Sequence, residues 1–466
     1  MDPLDLALLA YVSCLGALSV SGLQRLVLLR GYLGRPGVEA PPALDELPHV
    51  TVQLPIFEEV AVVDRLLDAV GRLDWPKQRA TIQVLDDSRD ATTERAAAGV
   101  ARLVAAGWNA QLLHRSDRAG FKAGALAAGL ARADGDVVAI FDADFVPPAD
   151  FLRRTVPHLR PGVACVQASW GHLSHATALT RAQALLLDGH FRLEQPARQA
   201  MGLWFNFNGT AGIWRRQAIE SSGGWQAGTL VEDMDLSYRA WLGGWRFVYL
   251  EDVIVPAELP ADMASFAQQQ RRWAQGTLQV ARSLLPRLLR APVPLAVKAE
   301  AAHHLLAPLS WPLMVALTAL LPWAVRARLD DPSGVLAMLD FVLFGATLAP
   351  FALWYTFASR GSRSARMSDI PLAFALGIGI AASQSVAVWA AFRRWPTPFA
   401  RTPKRGDGPA AYRATAGRGL VEGLLAAGAA TAIPAVVAAG DWLTLPFIGL
   451  FVAGPAWVAI GLRRSG

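Results

Sequence analysis

Three carboxylates within four residues are the densest group of chemically capable side chains in this sequence. Glu232, Asp233 and Asp235 interrupt an otherwise apolar segment, and the residues that follow Asp235 are typical of a helix. The dipole and the free N–H groups of a helix N-terminus favour anions, so we expect these acids at or just before the first turn. A helix cap followed by solvated acids is the plain alternative, and this segment alone leaves both interpretations open.

Two pairs of aspartates each follow an apolar run that is typical of a strand. Asp142 and Asp144 are separated by one residue, and residues i and i+2 of an extended turn point to the same side. Two hard oxygen ligands in this arrangement suit Mg²⁺ or Mn²⁺ that also holds a diphosphate. Asp86 and Asp87 suit hydrogen bonds to a ribose or a base, and support of that metal. Taken alone, the two pairs are equally compatible with a surface turn and a helix cap.

A lysine stands between two glycines where a helix is expected to begin. Lys122 lies in the segment Gly120-Phe-Lys-Ala-Gly124. A cation is unfavourable at a helix N-terminus, so a phosphate partner would explain this lysine. The spacing of a P-loop is absent, and so is the glycine pattern of a dinucleotide-binding turn, which argues against a dehydrogenase.

Two further segments combine aromatic and polar side chains. Residues 205–214 offer flat aromatic faces on which sugars can stack. Residues 268–276 combine arginines suited to a diphosphate with Trp273, which is suited to stacking. A basic interfacial helix is the alternative for the second segment.

The elements that must position these residues form an α/β pattern between residues 48 and 258. Short apolar runs alternate with amphipathic segments, which predicts a mainly parallel sheet with helices on both faces. The expected strands are 50–54, 82–85, 110–113 and 137–141, and the expected helices are 60–73, 92–106 and 122–131. Ligands of such sheets bind at the carboxyl ends of the strands, where both aspartate pairs stand.

The composition indicates a membrane protein. Hydrophobic residues make up 53% of the 466 residues and charged residues only 18%. Apolar runs long enough for a bilayer core of about 30 Å are found at 6–24, 301–325, 341–359, 370–392, 423–440 and 442–462. The N-terminal run is preceded by acids, which argues against a cleaved signal. Arginines follow it, so its C-terminal side is expected to be cytoplasmic.

The charge and the cysteines exclude some classes. The formal net charge is +6, but the basic residues flank apolar runs, as positive cytoplasmic flanks of membrane helices do. Nucleic acid is therefore not an expected partner. The two cysteines, Cys14 and Cys165, have no metal-site spacing and suggest no disulfide framework.

A parity argument concerns the run at 370–392. If the α/β region, the basic segments and the C-terminus all lie on the cytoplasmic side, one of the C-terminal runs cannot cross the membrane. The run at 370–392 contains Gly377, Gly379, Ser383, Gln384 and Ser385, so we expect it to lie in the interface or to re-enter. Full crossing is the alternative.

The ordered acids, together with a Gln-x-x-Arg-Trp segment, carry a resemblance to a known family. The motifs are Asp86-Asp87, Asp142-Ala-Asp144, Glu232-Asp233 and Gln269-x-x-Arg272-Trp273. In this order and between membrane helices, they resemble the processive, membrane-embedded glycosyltransferases of family 2, such as cellulose, hyaluronan and mannan synthases. The amino-acid sequence is most similar to that of the cellulose-synthase-like glucomannan and mannan synthases in residues 121–126, 207–212, 231–236 and 401–404.

The resemblance implies a fold class and a domain organisation. The fold would be α/β, a nucleotide-diphospho-sugar transferase (GT-A) domain with a mainly parallel central sheet, embedded in an α-helical transmembrane protein. The implied parts are a transmembrane helix (1–30), a linker (31–47), a cytoplasmic GT-A domain (48–258), amphipathic interfacial helices (259–298) and a transmembrane region (299–466). A cytoplasmic gating loop would lie near 393–417.

The resemblance also implies roles for individual residues. Asp233 would be the catalytic base. The donor would be bound by Glu59, Asp86, Asp87, Lys122, Asp142, Gln269 and Arg272. The acceptor would be bound by Phe207, Asn208, Gly209, Glu232 and Trp273. Mg²⁺ or Mn²⁺ would be held by Asp142 and Asp144. The gating loop would contain Phe399, Thr402, Pro403 and Lys404. The chain departs from the family at Glu58, where Asn is frequent, and at Val231, where Thr is usual.

The function implied is that of an integral membrane inverting hexosyltransferase. A UDP- or GDP-hexose would elongate a β-linked glucan or mannan, coupled to export, at the plasma (cell inner) membrane. Its partners would be the nucleotide-sugar, a glycan or lipid acceptor and membrane lipids. Two alternatives stay open: transfer of a single sugar to a ceramide or polyprenyl lipid, and a non-catalytic transporter or scaffold.

Overall fold

A seven-stranded mixed sheet forms the centre of the α/β part of the chain, between residues 48 and 258. The computed structural model of the protein describes residues 3–37, 44, 46–362, 364–393 and 419–465. Within these residues the strand order is β3-β2-β1-β4-β6-β5-β7. The strands are β1 (Val50–Ile56), β2 (Ala80–Asp86), β3 (Asn109–His114), β4 (Val137–Ile140), β5 (Val163–His172), β6 (Gly212–Arg215) and β7 (Arg246–Ala257).

One strand of this sheet runs against the others. The pairs β1–β2, β1–β4, β2–β3 and β5–β7 are parallel, whereas β6 is antiparallel to both β4 and β5. Because β6 is antiparallel to both of its neighbours, β4 and β5 run in the same direction. The carboxyl ends of the six mutually parallel strands therefore meet at one edge of the sheet, and the prediction of a mainly parallel sheet is confirmed.

Helices cover both faces of the sheet, which explains the continuous burial of its central strands. Every residue of β1 and β2 is buried, as expected of parallel strands packed on two sides. Two of their buried amides are linked, because Gln53 Nε2 donates to Gln83 Oε1 at 3.0 Å. The helix α1 (Pro3–Leu33) precedes this part of the chain. The helices that accompany the sheet are α2 (Val63–Val70), α3 (Thr92–Ala105), α4 (Phe121–Leu130), α5 (Phe151–Thr155), α6 (Ala178–Asp188), α7 (Gln195–Ala200), α8 (Arg216–Ser221) and α9 (Glu232–Leu242). A π-helical turn at Gly189–Glu194 joins α6 to α7.

The rest of the chain is helical. These helices are α10 (Met263–Arg290), α11 (Leu295–Leu306), α12 (Ser310–Leu329), α13 (Val335–Ser359), α14 (Ile370–Arg393), α15 (Leu420–Ala430), α16 (Ile433–Ala438) and α17 (Leu445–Ser465). Across the described residues, six segments are long and apolar enough to span a membrane: Leu6–Leu33, Leu295–Leu329, Val335–Ser359, Met367–Arg393, Leu420–Ala438 and Leu445–Ser465. They correspond to the six predicted apolar runs, and they are consistent with a multi-pass membrane protein.

Helix α14 is continuous and is held by α6 before its first turn and by α10 near its last turn. Before its first turn, Asp369 forms an ion pair with Arg181 of α6 at 2.9 Å. Near its last turn, the carbonyl oxygen of Ala391 accepts from Arg282 of α10 at 2.7 Å. Between these points it packs along α10, and Gly379 lies so close to Gly454 of α17 that a Cβ atom would come within 2.3 Å of a backbone oxygen. Its small residues therefore serve close helix packing.

Candidate active site

One cleft at the carboxyl edge of the sheet gathers most of the residues singled out in the sequence. Twelve of them line it: Glu59, Asp87, Lys122, Asp142, Asp144, Asn208, Gly209, Glu232, Asp233, Gln269, Arg272 and Trp273. They come from strand ends, from the start of α4, from the 206–211 loop, from the first turn of α9 and from α10. The four gating-loop residues, Phe399, Thr402, Pro403 and Lys404, lie outside the described residues.

The Asp142–Asp144 turn follows β4 directly. The backbone N–H of Asp142 donates to Thr210 Oγ1 at 2.8 Å, which ties the turn to the neighbouring 206–211 loop. Asp142 is half-buried and Asp144 is buried. Both carboxylates reach the cleft, as the i, i+2 spacing predicted.

Lys122 joins three parts of the cleft. Its Nζ atom lies 2.6 Å from Asp142 Oδ1 and 3.8 Å from Glu232 Oε1, and it donates to the carbonyl oxygen of Gly209 at 3.0 Å. Burial acts to lower the pKa of Lys122, but these neighbouring acids outweigh it and raise the pKa above its usual value. The prediction that a phosphate alone accounts for Lys122 at this position was therefore incomplete. In the structure, the charge at the start of α4 is compensated by carboxylates.

Asp233 lies in the first turn of α9, which begins at Glu232. Its Oδ1 atom accepts a hydrogen bond from the N–H of Met234 at 2.7 Å. Burial, followed by the negative charge of Glu232, raises the pKa of Asp233 from 3.8 to about 7, although Lys122 opposes this. The carboxyl group is thus poised to exchange a proton near neutral pH.

Two glycines allow the backbone to approach these carboxylates. Gly209 has a φ of +82°, and a Cβ atom there would lie 2.8 Å from Asp233 Oδ2. On α10, a Cβ atom at Gly276 would lie 2.7 Å from Val231. Gln279, one turn further on, accepts from the N–H of Leu230 at 3.0 Å. These contacts hold α10 against the segment that precedes Asp233.

Helix α10 supplies the wall opposite the sheet. Gln269, Arg272 and Trp273 lie within two turns and line the cleft together. Burial lowers the pKa of Arg272 despite the acids Glu232 and Asp142 nearby. A guanidinium group facing several carboxylates in this way is suited to an anionic ligand that bridges them, such as a diphosphate with its metal.

The two aspartates after β2 have different places. Asp87 lines the cleft and is held by Arg115 through two contacts, Nε–Oδ1 at 2.8 Å and Nη2–Oδ2 at 2.6 Å. Asp86 is fully buried and does not line the cleft. Its carboxylate accepts from the N–H of Ser88 and from Thr93 Oγ1, at 2.9 and 2.6 Å. The predicted donor contact of Asp86 is therefore corrected, because its side chain shapes the loop below the cleft.

Phe207 also differs from its predicted place. Its side chain is fully buried in the core and packs edge-on against Trp214, with ring centroids 5.7 Å apart. The glycine at 212 makes room for this ring, since a Cβ atom there would lie 2.8 Å from it. Phe207 therefore cannot offer its face to an acceptor. Only the following residues, Asn208 and Gly209, reach the cleft.

Asp235 serves the helix rather than the cleft. It is buried and pairs with Arg239, one turn later in α9, at 2.7 Å. This agrees with its interpretation as a helix-start residue.

Several residues of the cleft were missed in the sequence. Arg118 lies over Phe57, with 3.3 Å between its Cζ atom and the ring centroid, and both line the cleft. Trp170 and His172 line the cleft at the end of β5. The signal available for the last two was their place at the end of a strand, but β5 was not among the expected strands.

The residues present fit a divalent cation in part. Asp142 and Asp144 offer hard oxygen ligands on one side of a turn, and a diphosphate and water would complete a six-coordinate shell. Among the described residues there is no group of three or more His, Cys, Asp or Glu side chains that would hold a metal by itself. The two carboxylates therefore suit a cation that binds together with a diphosphate.

Two family models match the chain. The model described as "Glycosyl transferase family 2" matches residues 51–221, and that described as "Glycosyl transferase family group 2" matches residues 137–357. The matches cover the sheet, the cleft, α10 and the first helices beyond it.

Curated plant proteins are similar to about half of this chain. A probable glucomannan 4-beta-mannosyltransferase 7 of Oryza sativa subsp. japonica is 42% identical over 259 residues, which are 53% of this chain and 44% of that protein. Glucomannan 4-beta-mannosyltransferase 2 of Arabidopsis thaliana is 44% identical over 250 residues, 52% of this chain and 47% of that protein. The matched region spans under half the length of these relatives.

A solved structure shares the fold. The mannosyltransferase PcManGT of Pyrobaculum calidifontis, solved in complex with GDP-Man and Mn²⁺, has a TM-score of 0.55 and 21% identity, covering 82% of this chain and 99% of that chain. The sheet with its edge cleft is accordingly a GT-A fold, in agreement with the expected fold class. Both family models, the plant relatives and this fold agree that residues 51–357 are similar to the glycosyltransferases of family 2.

Proposed function

We propose that the protein is a membrane-embedded inverting mannosyltransferase that uses GDP-mannose to elongate a β-linked mannan or glucomannan. The observation that carries this proposal is the single cleft in which Asp142, Asp144, Asp233, Arg272 and Trp273 converge. The activities of the plant relatives, glucomannan 4-beta-mannosyltransferases, and the GDP-Man bound to the Pyrobaculum calidifontis enzyme support mannose as the sugar and GDP as the nucleotide.

Asp233 is the proposed general base. Its carboxylate takes the proton of an acceptor hydroxyl while that oxygen forms a bond to the anomeric carbon and the bond to the diphosphate breaks. Displacement in one step inverts the anomeric centre and needs no covalent nucleophile. A pKa near 7 leaves a large share of Asp233 ionised at neutral pH while keeping it basic enough to accept the proton.

The leaving diphosphate is proposed to lie between Arg272 and the Asp142–Asp144 turn. These two aspartates would hold Mg²⁺ or Mn²⁺, which neutralises charge on the leaving group when bound. Arg272 adds a fixed guanidinium group, and Lys122 compensates Asp142 and Glu232. Glu59, Asp87 and Gln269 complete the proposed donor site.

The proposal also includes the route of the product across the membrane. Trp273 on α10 stands between the cleft and the apolar helices, a place suited to the acceptor end of a glycan. We propose a cytoplasmic catalytic domain at the plasma membrane and export of the growing chain. The gating role of Phe399, Thr402, Pro403 and Lys404 is part of this proposal and rests on the sequence alone.

The test is a donor panel with purified protein in lipid vesicles, Mn²⁺ and radiolabelled GDP-mannose, GDP-glucose, UDP-glucose or UDP-N-acetylglucosamine. The expected result is incorporation from GDP-mannose into a polymer that an endo-β-1,4-mannanase degrades, with loss of incorporation when EDTA is added. A single labelled sugar on an extractable lipid would support the lipid-acceptor alternative. Failure to bind any of these donors with Mn²⁺ would support a non-catalytic transporter or scaffold.

A further inference from the structure

Two rings at the end of β5 lie in the cleft but belong to none of the motifs assigned above. Trp170 and His172 both line the cleft, and β5 ends at His172. Because β4 and β5 run in the same direction, the end of β5 lies at the sheet edge that carries Asp142. These rings therefore share the space of the cleft carboxylates.

Their position in the sheet separates them from the proposed nucleotide side. Asp87 follows β2, which lies on one side of β4 beyond β1, whereas β5 lies on the other side of β4 beyond β6. The Asp142–Asp144 turn after β4 stands between the two. A donor with its nucleotide towards Asp87 and its diphosphate at Asp142 leaves the β5 side for the acceptor.

His172 is held in a fixed orientation by a buried carboxylate. Its Nε2 atom lies 3.1 Å from Asp188 Oδ1, and the two side chains are 3% and 7% exposed. The other oxygen of Asp188 accepts from Ser362 Oγ at 2.5 Å. A hydrogen bond of Nε2 to this carboxylate selects the tautomer in which Nε2 donates and Nδ1 is the acceptor.

Trp170, two residues earlier on the same face of β5, carries an unused donor. Its Nε1–H group is buried and has no hydrogen-bond partner among the side chains and backbone that the structure describes. The ring itself is fixed, stacked on Phe191 at 4.7 Å and edge-on to Phe145 at 5.0 Å between centroids. A buried donor without a partner is costly, and a ligand oxygen would remove that cost.

We propose that Trp170 and His172 form a hydroxyl-binding subsite for the acceptor sugar, with Asp188 as the positioning residue of His172. A sugar hydroxyl accepts and donates at once, which matches an indole N–H next to an imidazole acceptor. Trp273 lines the same cleft and offers a face to the sugar ring. This inference rests on the proposed function, because it assigns the subsite to the acceptor of that transfer.

The test separates acceptor effects from donor effects. Initial rates are measured with the full chain in detergent, varying a soluble β-1,4-linked mannotetraose or GDP-mannose, alongside hydrolysis of GDP-mannose without acceptor. His172→Ala is expected to lower kcat/KM for the oligosaccharide roughly fivefold to tenfold, the loss typical of one hydrogen bond. The KM for GDP-mannose and the hydrolysis rate should stay unchanged.

Three further variants make the test specific. Trp170→Phe keeps the ring and removes only the N–H, so it should weaken the acceptor in the same way. Asp188→Asn should do so as well, because an amide no longer fixes the tautomer of His172. His175→Ala is the matched control, since His175 is exposed three residues further along the chain.

The outcomes distinguish this inference from the proposed function. Equal acceptor kinetics in the parent, His172→Ala and Trp170→Phe would overturn the subsite, as would a matching rise in the KM for GDP-mannose. If the parent does not transfer mannose at all, the proposed function fails. Calorimetric binding of mannotetraose to the parent and to His172→Ala then decides the subsite, which requires weaker binding by the variant.

Discussion

Replacing Asp233 by asparagine should inactivate the protein and at the same time stabilise it in a pH-dependent way. The carboxyl group is surrounded by Glu232 and Asp142, with Lys122 as the opposing charge, and its pKa in the fold is about 7 instead of 3.8. A raised folded pKa means that ionisation opposes folding. The cost appears as the pH rises above 3.8 and is complete above about 7.

The size of the effect follows from the two pKa values. At about 1.4 kcal/mol per pH unit, the full cost of ionising Asp233 is at most ~4 kcal/mol. Between pH 5.5 and pH 8.5 the cost increases by about 2 kcal/mol, because it stops growing near pH 7. Asparagine keeps the Oδ1 acceptor for the N–H of Met234 and has no charge, so the variant escapes this cost.

The assay is thermal unfolding in detergent with EDTA, so that no divalent cation shields the carboxylates. The Tm of Asp233→Asn minus that of the parent should be larger at pH 8.5 than at pH 5.5, by roughly 4–8 °C for a domain of about 200 residues. Mannosyl transfer should fall about 10²-fold or more, with GDP binding retained.

The control is Asp68→Asn, at an exposed position on α2. Its Tm difference from the parent should be the same at both pH values. A Tm difference for Asp233→Asn that does not increase with pH would refute the account of its environment. Full transfer activity in this variant would refute its role as the base.

Three more predictions test the packing around the cleft and the membrane region. Gly209→Ala should lower the rate of mannosyl transfer at least ~10-fold, because the new Cβ atom would lie 2.8 Å from Asp233 Oδ2 and displace that carboxylate. The control is Gly202→Ala, which is also at positive φ but has no atom within 4 Å of the new Cβ, and it should leave the transfer rate nearly unchanged. Phe207→Ala should lower the free energy of unfolding by about 3–5 kcal/mol, seen as a lower Tm, because the ring is fully buried. Phe207→Leu should leave the KM for the acceptor unchanged, and a selective rise in that KM would contradict the burial of the Phe207 ring. If α14 does not cross the membrane, a cysteine at position 465 should react with an impermeant maleimide in inverted vesicles and not in right-side-out ones, and the reverse labelling would support full crossing.

The sequence predicted which residues share the cleft where a position next to a strand end decides it. Asp87, Asp142 and Asp144 follow β2 and β4, and parallel strands carry such residues to one edge whatever their distance along the chain. The six long apolar helices were predicted equally well, because the length and composition of an apolar run can be read without knowing the tertiary structure.

Side-chain direction was not predictable in the same way. Asp86 and Asp87 are neighbours, yet one is buried beneath the loop and the other lines the cleft, since successive side chains at a strand end point to opposite sides. In the aromatic segment 205–214, Phe207 looked suited to a sugar. Its ring instead fills the core beside Trp214, because the close approach of Gly212 makes room for it there.

The sequence by itself determined the resemblance to family 2 glycosyltransferases, the α/β domain between apolar helices and the carboxylates that meet at the cleft, because these depend on local periodicity and on motifs of fixed spacing. Only the tertiary structure decided which groups share an electrostatic environment. Lys122, Asp142, Glu232 and Asp233 are up to 111 residues apart, and their contacts exist only when α4, β4 and α9 pack together. The same packing placed Trp170 and His172 in the cleft, since the reversed strand β6 sets β5 parallel to β4.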